Sequence, residues 1–216
     1  MKFDKTCLQL YIVTDRTWLN GADLAAQVEE AIQNGATLVQ LREKALDTAA
    51  FAAEAVRIKE ACRVHGVPFI VNDSVEIALE VDADGVHVGQ HDMAAGDVRA
   101  KLGQNKILGV SAQTVEQAVA AERAGADYLG VGAVFATSTK LDAAEVSFDT
   151  VKEICAAVSI PVVAIGGIGA GNIEKLAGAG IAGVAVVSAV FAQPDIGAAT
   201  RKLRALTEKM LEGNQT

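Results

Sequence analysis

Short apolar runs recur along the chain, each leading into polar or glycine residues and then into a longer stretch whose apolar positions have helical spacing. The runs Leu8–Val13, Leu38–Leu41, Pro68–Val71, Gly85–Val88, Ile107–Val110, Tyr128–Val131, Val162–Ile165 and Gly183–Val187 are predicted strands, bounded by turn residues. The stretches between them predict helices: Leu24–Gln33, one capped by Thr48 and running to about Arg63 with His65-Gly66 as the stop, Ser74 to Glu80, Asp97 to Leu102, and Val115 to Ala124 behind Thr114. Further helices are expected from Ser147 or Asp149 onward, from Asn172 to Ala179, and after Pro194 past Leu211. The stretch from Gly132 to Val146 has no clear period.

The predicted strands are apolar on both faces, as a parallel sheet covered by helices requires. Eight strand–helix units without a long linker predict an α/β chain folded as a closed (β/α)8 TIM barrel, a single domain over residues 1–216. Gly35-Ala36, Gly125-Ala126 and Gly180-Ile181-Ala182-Gly183 each lead into a strand, a weak internal repetition. The alternative is an open doubly wound sheet. It lacks its usual mark, because Leu10-Tyr11-Ile12-Val13-Thr14-Asp15 runs into a loop without Gly-x-Gly-x-x-Gly.

With 216 residues, 51% of them hydrophobic, the chain can bury one large core. The net charge of −8 argues against a nucleic-acid or anionic-membrane partner, while leaving room for a local basic pocket. Cys7, Cys62 and Cys155 are odd in number and far apart, so reduced thiols are expected and no disulfide framework or zinc site. No signal-peptide pattern follows Met1, and no apolar run has membrane-spanning length. The expected location is cytoplasmic; assembly into a homo-oligomer is left open.

In such a barrel, chemistry belongs at the C-terminal ends of the strands, and those ends carry most of the polar residues. In Leu38-Val39-Gln40-Leu41-Arg42-Glu43-Lys44, alternate residues share a face, so Gln40, Arg42 and Lys44 point one way and Val39 and Leu41 the other. An amide and two cations rising from a buried strand need partners. Asn72, Asp73, Gln90, His91, Asp92, Ser111, Gln113 and Thr137-Ser138-Thr139-Lys140 follow other strands. Asp73 and Asp92 follow neighbouring strands, where two carboxylates repel unless protonated or bridged by a cation. Magnesium suits them, since it takes one or two carboxylates plus water and phosphate oxygens. The blander alternative makes Asp73 a helix N-cap and Asp92 a loop cap.

A second anion site is expected where Ile165-Gly166-Gly167-Ile168-Gly169 and Val187-Ser188 follow the last two strands. Bare glycine backbone and a helix N-terminus there form the usual barrel phosphate site, although the glycines also serve tight turns. Two anion sites on one mouth imply two phosphorylated small molecules or one bisphosphate. No general base stands out: His65 ends a helix, His87 lies within a strand as core or support, and His91 belongs to a loop. A missing base suits a reaction in which a diphosphate departs and a neutral nitrogen attacks.

Taken together, Tyr11-Ile12-Val13-Thr14-Asp15, Gln40 to Lys44, Val71-Asn72-Asp73, Gly85 to Asp92, Gly109-Val110-Ser111, Thr137 to Lys140, Ala164 to Ile168 and Val187-Ser188 resemble the thiamine phosphate synthase (thiamin-phosphate pyrophosphorylase) family over nearly the whole chain. The resemblance implies that Gln40, Leu41, Arg42, Glu43, Lys44, Asn72, Ser111 and Lys140 bind 4-amino-2-methyl-5-(diphosphooxymethyl)pyrimidine. Arg42, Lys44, Lys140 and Ser111 would be catalytic. It implies Asp73 and Asp92 as ligands of a Mg2+ cofactor, and Thr137, Ser138, Thr139, Gly167, Val187 and Ser188 as the site for a phosphorylated thiazole. The implied reaction joins the pyrimidine methylene to the thiazole nitrogen after ionisation, giving thiamine phosphate and pyrophosphate. One departure is visible: where the family often has prolines, this chain has Gly132-Ala133-Val134-Phe135-Ala136-Thr137, which predicts a more mobile lid. Two alternatives share the barrel, a thiazole tautomerase-like relative and a non-catalytic sensor of phosphorylated ligands. Arg42, Lys44, Asp73, Asp92 and Lys140 speak against the first.

Overall fold

Aspartate, serine and threonine set where the helices begin. Asp23, Asp47, Ser74, Thr114, Ser147 and Asp195 each accept a hydrogen bond from a backbone N–H in the first turn of the helix that follows; such a cap contributes about 1 kcal/mol. The computed structural model describes residues 4–19, 21–90, 92–137 and 145–213. In chain order the first half contains β1 (Leu10–Val13), α1 (Leu24–Gln33), β2 (Leu38–Leu41), α2 (Thr48–His65), β3 (Phe69–Asn72), α3 (Val75–Glu80), β4 (Gly85–Val88) and α4 (Ala95–Leu102). The second half contains β5 (Ile107–Ala112), α5 (Val115–Arg123), β6 (Tyr128–Val131), α6 (Phe148–Ala157), β7 (Val162–Ile165), β8 (Gly183–Val186), the single turn α7 (Ser188–Phe191) and α8 (Ile196–Glu212).

Among the described residues the eight strands pair in sequence order, all parallel, and β8 closes on β1. This is the expected TIM barrel. Each strand divides its residues between two cores. Leu10, Ile12, Val39, Leu41, Phe69, Val71, Val86 and Val88 face outward to the helices. Leu8, Tyr11, Val13, Leu38, Ile70, Tyr128, Val163 and Ala185 fill the inside. Register sets the polar residues above that filling: Gln40 lies beside Val13 and Ile70, His87 beside Asn72 and Gly109, and Ser111 beside Gly130. No helix among the described residues is long and apolar enough to cross a membrane.

Strands β3, β5 and β8 differ from expectation by one or two residues at an end, and other segments differ more. The first strand begins at Leu10, because Asp4 caps a 3-10 helix over Lys5–Leu8. The helix expected from Asn172 to Ala179 is a 3-10 turn, Ile173–Leu176. There Asn172 accepts from the Gly169 N–H and donates to the Gly167 carbonyl, both at 2.8 Å, so its side chain braces the glycine turn and does not cap a helix. Gly178 and Gly180 then take positive φ, which ends helical winding. Finally, α4 starts at Ala95, ahead of the expected Asp97, with no side-chain cap, and α2 is capped by Asp47 in place of the expected Thr48.

Candidate active site

The C-terminal ends of the strands surround one cavity of about 360 Å³. Gln40 from β2, and Arg42 and Lys44 from the segment that follows it, all line it. Asn72 and Asp73 reach it from β3, Asp92 from the loop after β4, and Ser111 from β5. Thr137 enters after β6, Gly167 after β7, and Val187 and Ser188 after β8. Ser138, Thr139, Lys140 and His91 lie outside the described residues. Two expected site residues turn elsewhere. Leu41 is fully buried in the outer core, because alternation along β2 sends it away from the mouth. Glu43 is also absent from the cavity lining; its carboxylate pairs with Arg16 and accepts from the backbone N–H of Lys44 and Ala45.

Three consecutive residues after β1 hold the Arg42 segment. Thr14 Oγ1 accepts from the Arg42 backbone N–H at 3.0 Å. Asp15 takes the Arg42 guanidinium at 3.3 Å, and Arg16 bridges Glu43 and Glu54. Arg42 is thus aimed by a carboxylate that is not itself a cavity residue. The Lys44 ammonium pairs with Asp73 Oδ2 at 2.7 Å. Lys44 is exposed and Asp73 half-buried, so this pair contributes about 1 kcal/mol or less to stability.

Asp73 is not the N-cap of α3; Ser74 is, accepting from the Ile77 N–H at 3.2 Å. Asp73 itself adopts φ 61°, the left-handed region that aspartate tolerates better than most residues. Its carboxylate is therefore free of helix duty. Asp92 does cap a loop, its Oδ2 accepting from the Gly89 N–H at 2.7 Å. An all-oxygen set of two carboxylates beside an anion pocket fits magnesium, which completes its shell with substrate phosphate oxygens and water.

The opposite wall is glycine backbone. Gly166 and Gly167 have φ of 99° and 65°. The loop after β6 lies directly on them, with Val134 and Phe135 donating to the Ile165 and Gly166 carbonyls. Val146 donates back to Ala133 at 2.7 Å. The described parts of the loop expected to act as a lid are therefore pinned to the end of β7.

The floor contains residues to which the sequence reading gave no role in binding. Tyr11, His87, Gly130, Val163 and Ala185 line it, with Gln90 and Gln113 above. For His87 the positional signal is period-two alternation, which puts Gly85 and His87 on the inner face of β4. Burial pushes the Tyr11 and Tyr128 phenols well above their usual range, so both remain protonated. Glycine is required beneath them: a Cβ at Gly109 would overlap the Tyr128 ring and His87 Nδ1, and one at Gly130 would meet His87 Cε1 at 3.0 Å. Gly109→Ala is expected to destabilise the protein by about 2–3 kcal/mol, the usual effect of overpacking. Urea unfolding of the two proteins checks this.

The chain is similar to known proteins over nearly its whole length. The family model described as thiamine monophosphate synthase matches residues 10–190. The thiamine-phosphate synthase of Clostridioides difficile is 52% identical over 192 residues, 89% of this chain and 91% of that protein. That of Enterococcus faecalis is 47% identical over 208 residues, covering 96% and 98%. The solved thiamine phosphate pyrophosphorylase of Pyrococcus furiosus superposes with a TM-score of 0.89 at 38% identity, over 96% of this chain and 98% of that one. A 3-hexulose-6-phosphate synthase, at 18% identity and a TM-score of 0.67, shares the fold alone.

Proposed function

The chain belongs to the thiamine monophosphate synthase family, and from that premise we propose how its cavity divides the work. It is a transferase of thiamine biosynthesis: a pyrimidinylmethyl group leaves its diphosphate and joins the nitrogen of a phosphorylated thiazole, giving thiamine phosphate and pyrophosphate. Arg42 and Lys44, with Lys140, hold the diphosphate and stabilise the charge that grows on it as the carbon–oxygen bond breaks. Gln40, Asn72 and Ser111 orient the pyrimidine diphosphate. Gly167, Val187 and Ser188, with Thr137 to Thr139, hold the phosphate of the thiazole or of its carboxylated form. Asp73 and Asp92 would hold magnesium, which when bound neutralises charge on the leaving diphosphate.

What supports this division is the convergence of Arg42, Lys44, Asp73 and Asp92 with Gly167 and Ser188 on one cavity. Cations and carboxylates gather toward β2, β3 and β4, and the uncharged backbone wall toward β7 and β8, so the two anions have separate berths. Binding both substrates so that the thiazole nitrogen faces the methylene carbon makes their encounter effectively unimolecular. No proton need leave that nitrogen, so the reaction needs no general base.

Pyrophosphate release from the two purified substrates with magnesium tests the proposal. Release that needs both substrates is expected. Tight binding of both without release would point instead to a sensor of phosphorylated ligands.

A further inference from the structure

Five polar side chains cross the barrel beneath the cavity in one unbroken thread. Gln40 Nε2 donates to the Tyr11 hydroxyl. The Tyr11 and Tyr128 hydroxyls are 2.9 Å apart. The Tyr128 hydroxyl is 3.0 Å from His87 Nδ1, and His87 Nε2 is 2.9 Å from Ser111 Oγ. The two tyrosine rings meet edge to face at 6.0 Å, and Gly109 and Gly130 clear the space the thread occupies. Such a thread is costly inside an apolar barrel unless every member is satisfied.

Its direction follows from counting protons. An amide nitrogen can only donate, so Tyr11 accepts from Gln40. Each phenol then has one proton. If Tyr11 donates to Tyr128 and Tyr128 to His87 Nδ1, the imidazole carries its proton on Nε2 and gives it to Ser111 Oγ. The reverse order would make Tyr11 a double acceptor and aim its own proton away from both of its hydroxyl and amide neighbours. We infer that Tyr11, Tyr128 and His87 are positioning residues: they fix the neutral Nε2–H form of His87, which makes Ser111 an accepting oxygen below and a committed donor into the cavity. Gln40, at the other end, keeps its Oε1 as an acceptor. Ser111 thereby keeps its proton for a ligand atom with lone pairs, a diphosphate oxygen in the reaction proposed above. That last step rests on the proposed function; the thread itself does not.

Histidine-labelled protein without substrates gives the first test. Long-range proton–nitrogen NMR, with His65→Gln and His91→Gln to identify signals, is expected to show His87 protonated on Nε2 and bare on Nδ1. Tyr128→Phe removes the donor to Nδ1, so the ring is expected to lose that single tautomer. Its kcat for pyrophosphate release falls about tenfold, with KM for the thiazole phosphate changed less than about twofold. An Nδ1–H form or an imidazolium in the parent protein overturns the inference. So does a folded Tyr128→Phe protein that keeps either the parent tautomer or the parent kcat. Should Tyr128→Phe not fold, the parent spectrum decides alone. No pyrophosphate release from a parent protein with the Nε2–H form would remove the proposed reaction and leave the thread standing.

Discussion

Asp92→Asn will release pyrophosphate on the order of 100- to 1,000-fold more slowly than the parent protein, the range seen when one preorganised electrostatic group is removed from a transition state. The residual turnover will respond little to added magnesium. Steady-state assays over a magnesium titration measure both effects. The substitution is a narrow one. Asp92 Oδ2 accepts from the Gly89 N–H at 2.7 Å, and the amide oxygen of asparagine can accept the same bond. The loop after β4 therefore keeps its shape and thermal unfolding stays close to the parent, as expected for a change outside the core. What disappears is the negative charge proposed to attract a divalent ion. Asp73→Asn is less clean, because Asp73 also pairs with Lys44 at 2.7 Å, and losing that partner frees a cation proposed to hold the diphosphate. Unchanged turnover of Asp92→Asn at limiting magnesium would take Asp92 out of the metal site.

Much of this site was legible because strand geometry is simple. Alternation along Gln40, Leu41, Arg42 and Lys44 places the amide and both cations on one face, and all three line the cavity. The same rule separates Leu41 from them, although it sits in the middle of the motif, and it lies in the outer core. β2, β4, β6 and β7 begin and end where their apolar runs do. Boundaries failed where a side chain had a second use. Asn172 reads as a helix start but is spent on the backbone of Gly167 and Gly169. Asp73 reads as a cap, yet Ser74 beside it does that work.

The polar floor was the least visible part. Tyr11, His87 and Tyr128 come from three different strands, and in sequence each looks like an ordinary core residue. Nothing local to β4 says that His87 meets a tyrosine from β6 and a serine from β5. Only barrel closure and register bring them together. The glycines at 109 and 130 are the one trace left in the sequence, and they read as generic strand glycines until the ring above them is known.

Gly167→Ala is expected to lower kcat/KM for the phosphorylated thiazole on the order of 100-fold while leaving diphosphate affinity nearly intact. The backbone there has φ 65°, which costs a side-chain-bearing residue about 1–2 kcal/mol. A Cβ would also press on the Ala136 carbonyl oxygen and come within 2.8 Å of that of Phe135. Neither is the end of a flexible side chain; both are backbone of the loop that carries Thr137. Relief therefore comes only by pushing the loop after β6 away from the end of β7, and a displacement of about 1 Å at a reacting centre can cost 100-fold in rate. Gly171→Ala is the control, since that position has ordinary φ and nothing within 4 Å of an added Cβ. It is expected to match the parent protein in both melting temperature and KM. Substrate titrations on the two variants separate the effects: a Gly167→Ala protein whose KM for the thiazole phosphate equals that of Gly171→Ala would remove the glycine wall from the phosphate site. The wall on the β7 side and the carboxylates on the β3 and β4 side then make independent demands, one steric and one electrostatic. Losses from Gly167→Ala and Asp92→Asn should add in free energy when combined, as expected for sites without shared partners.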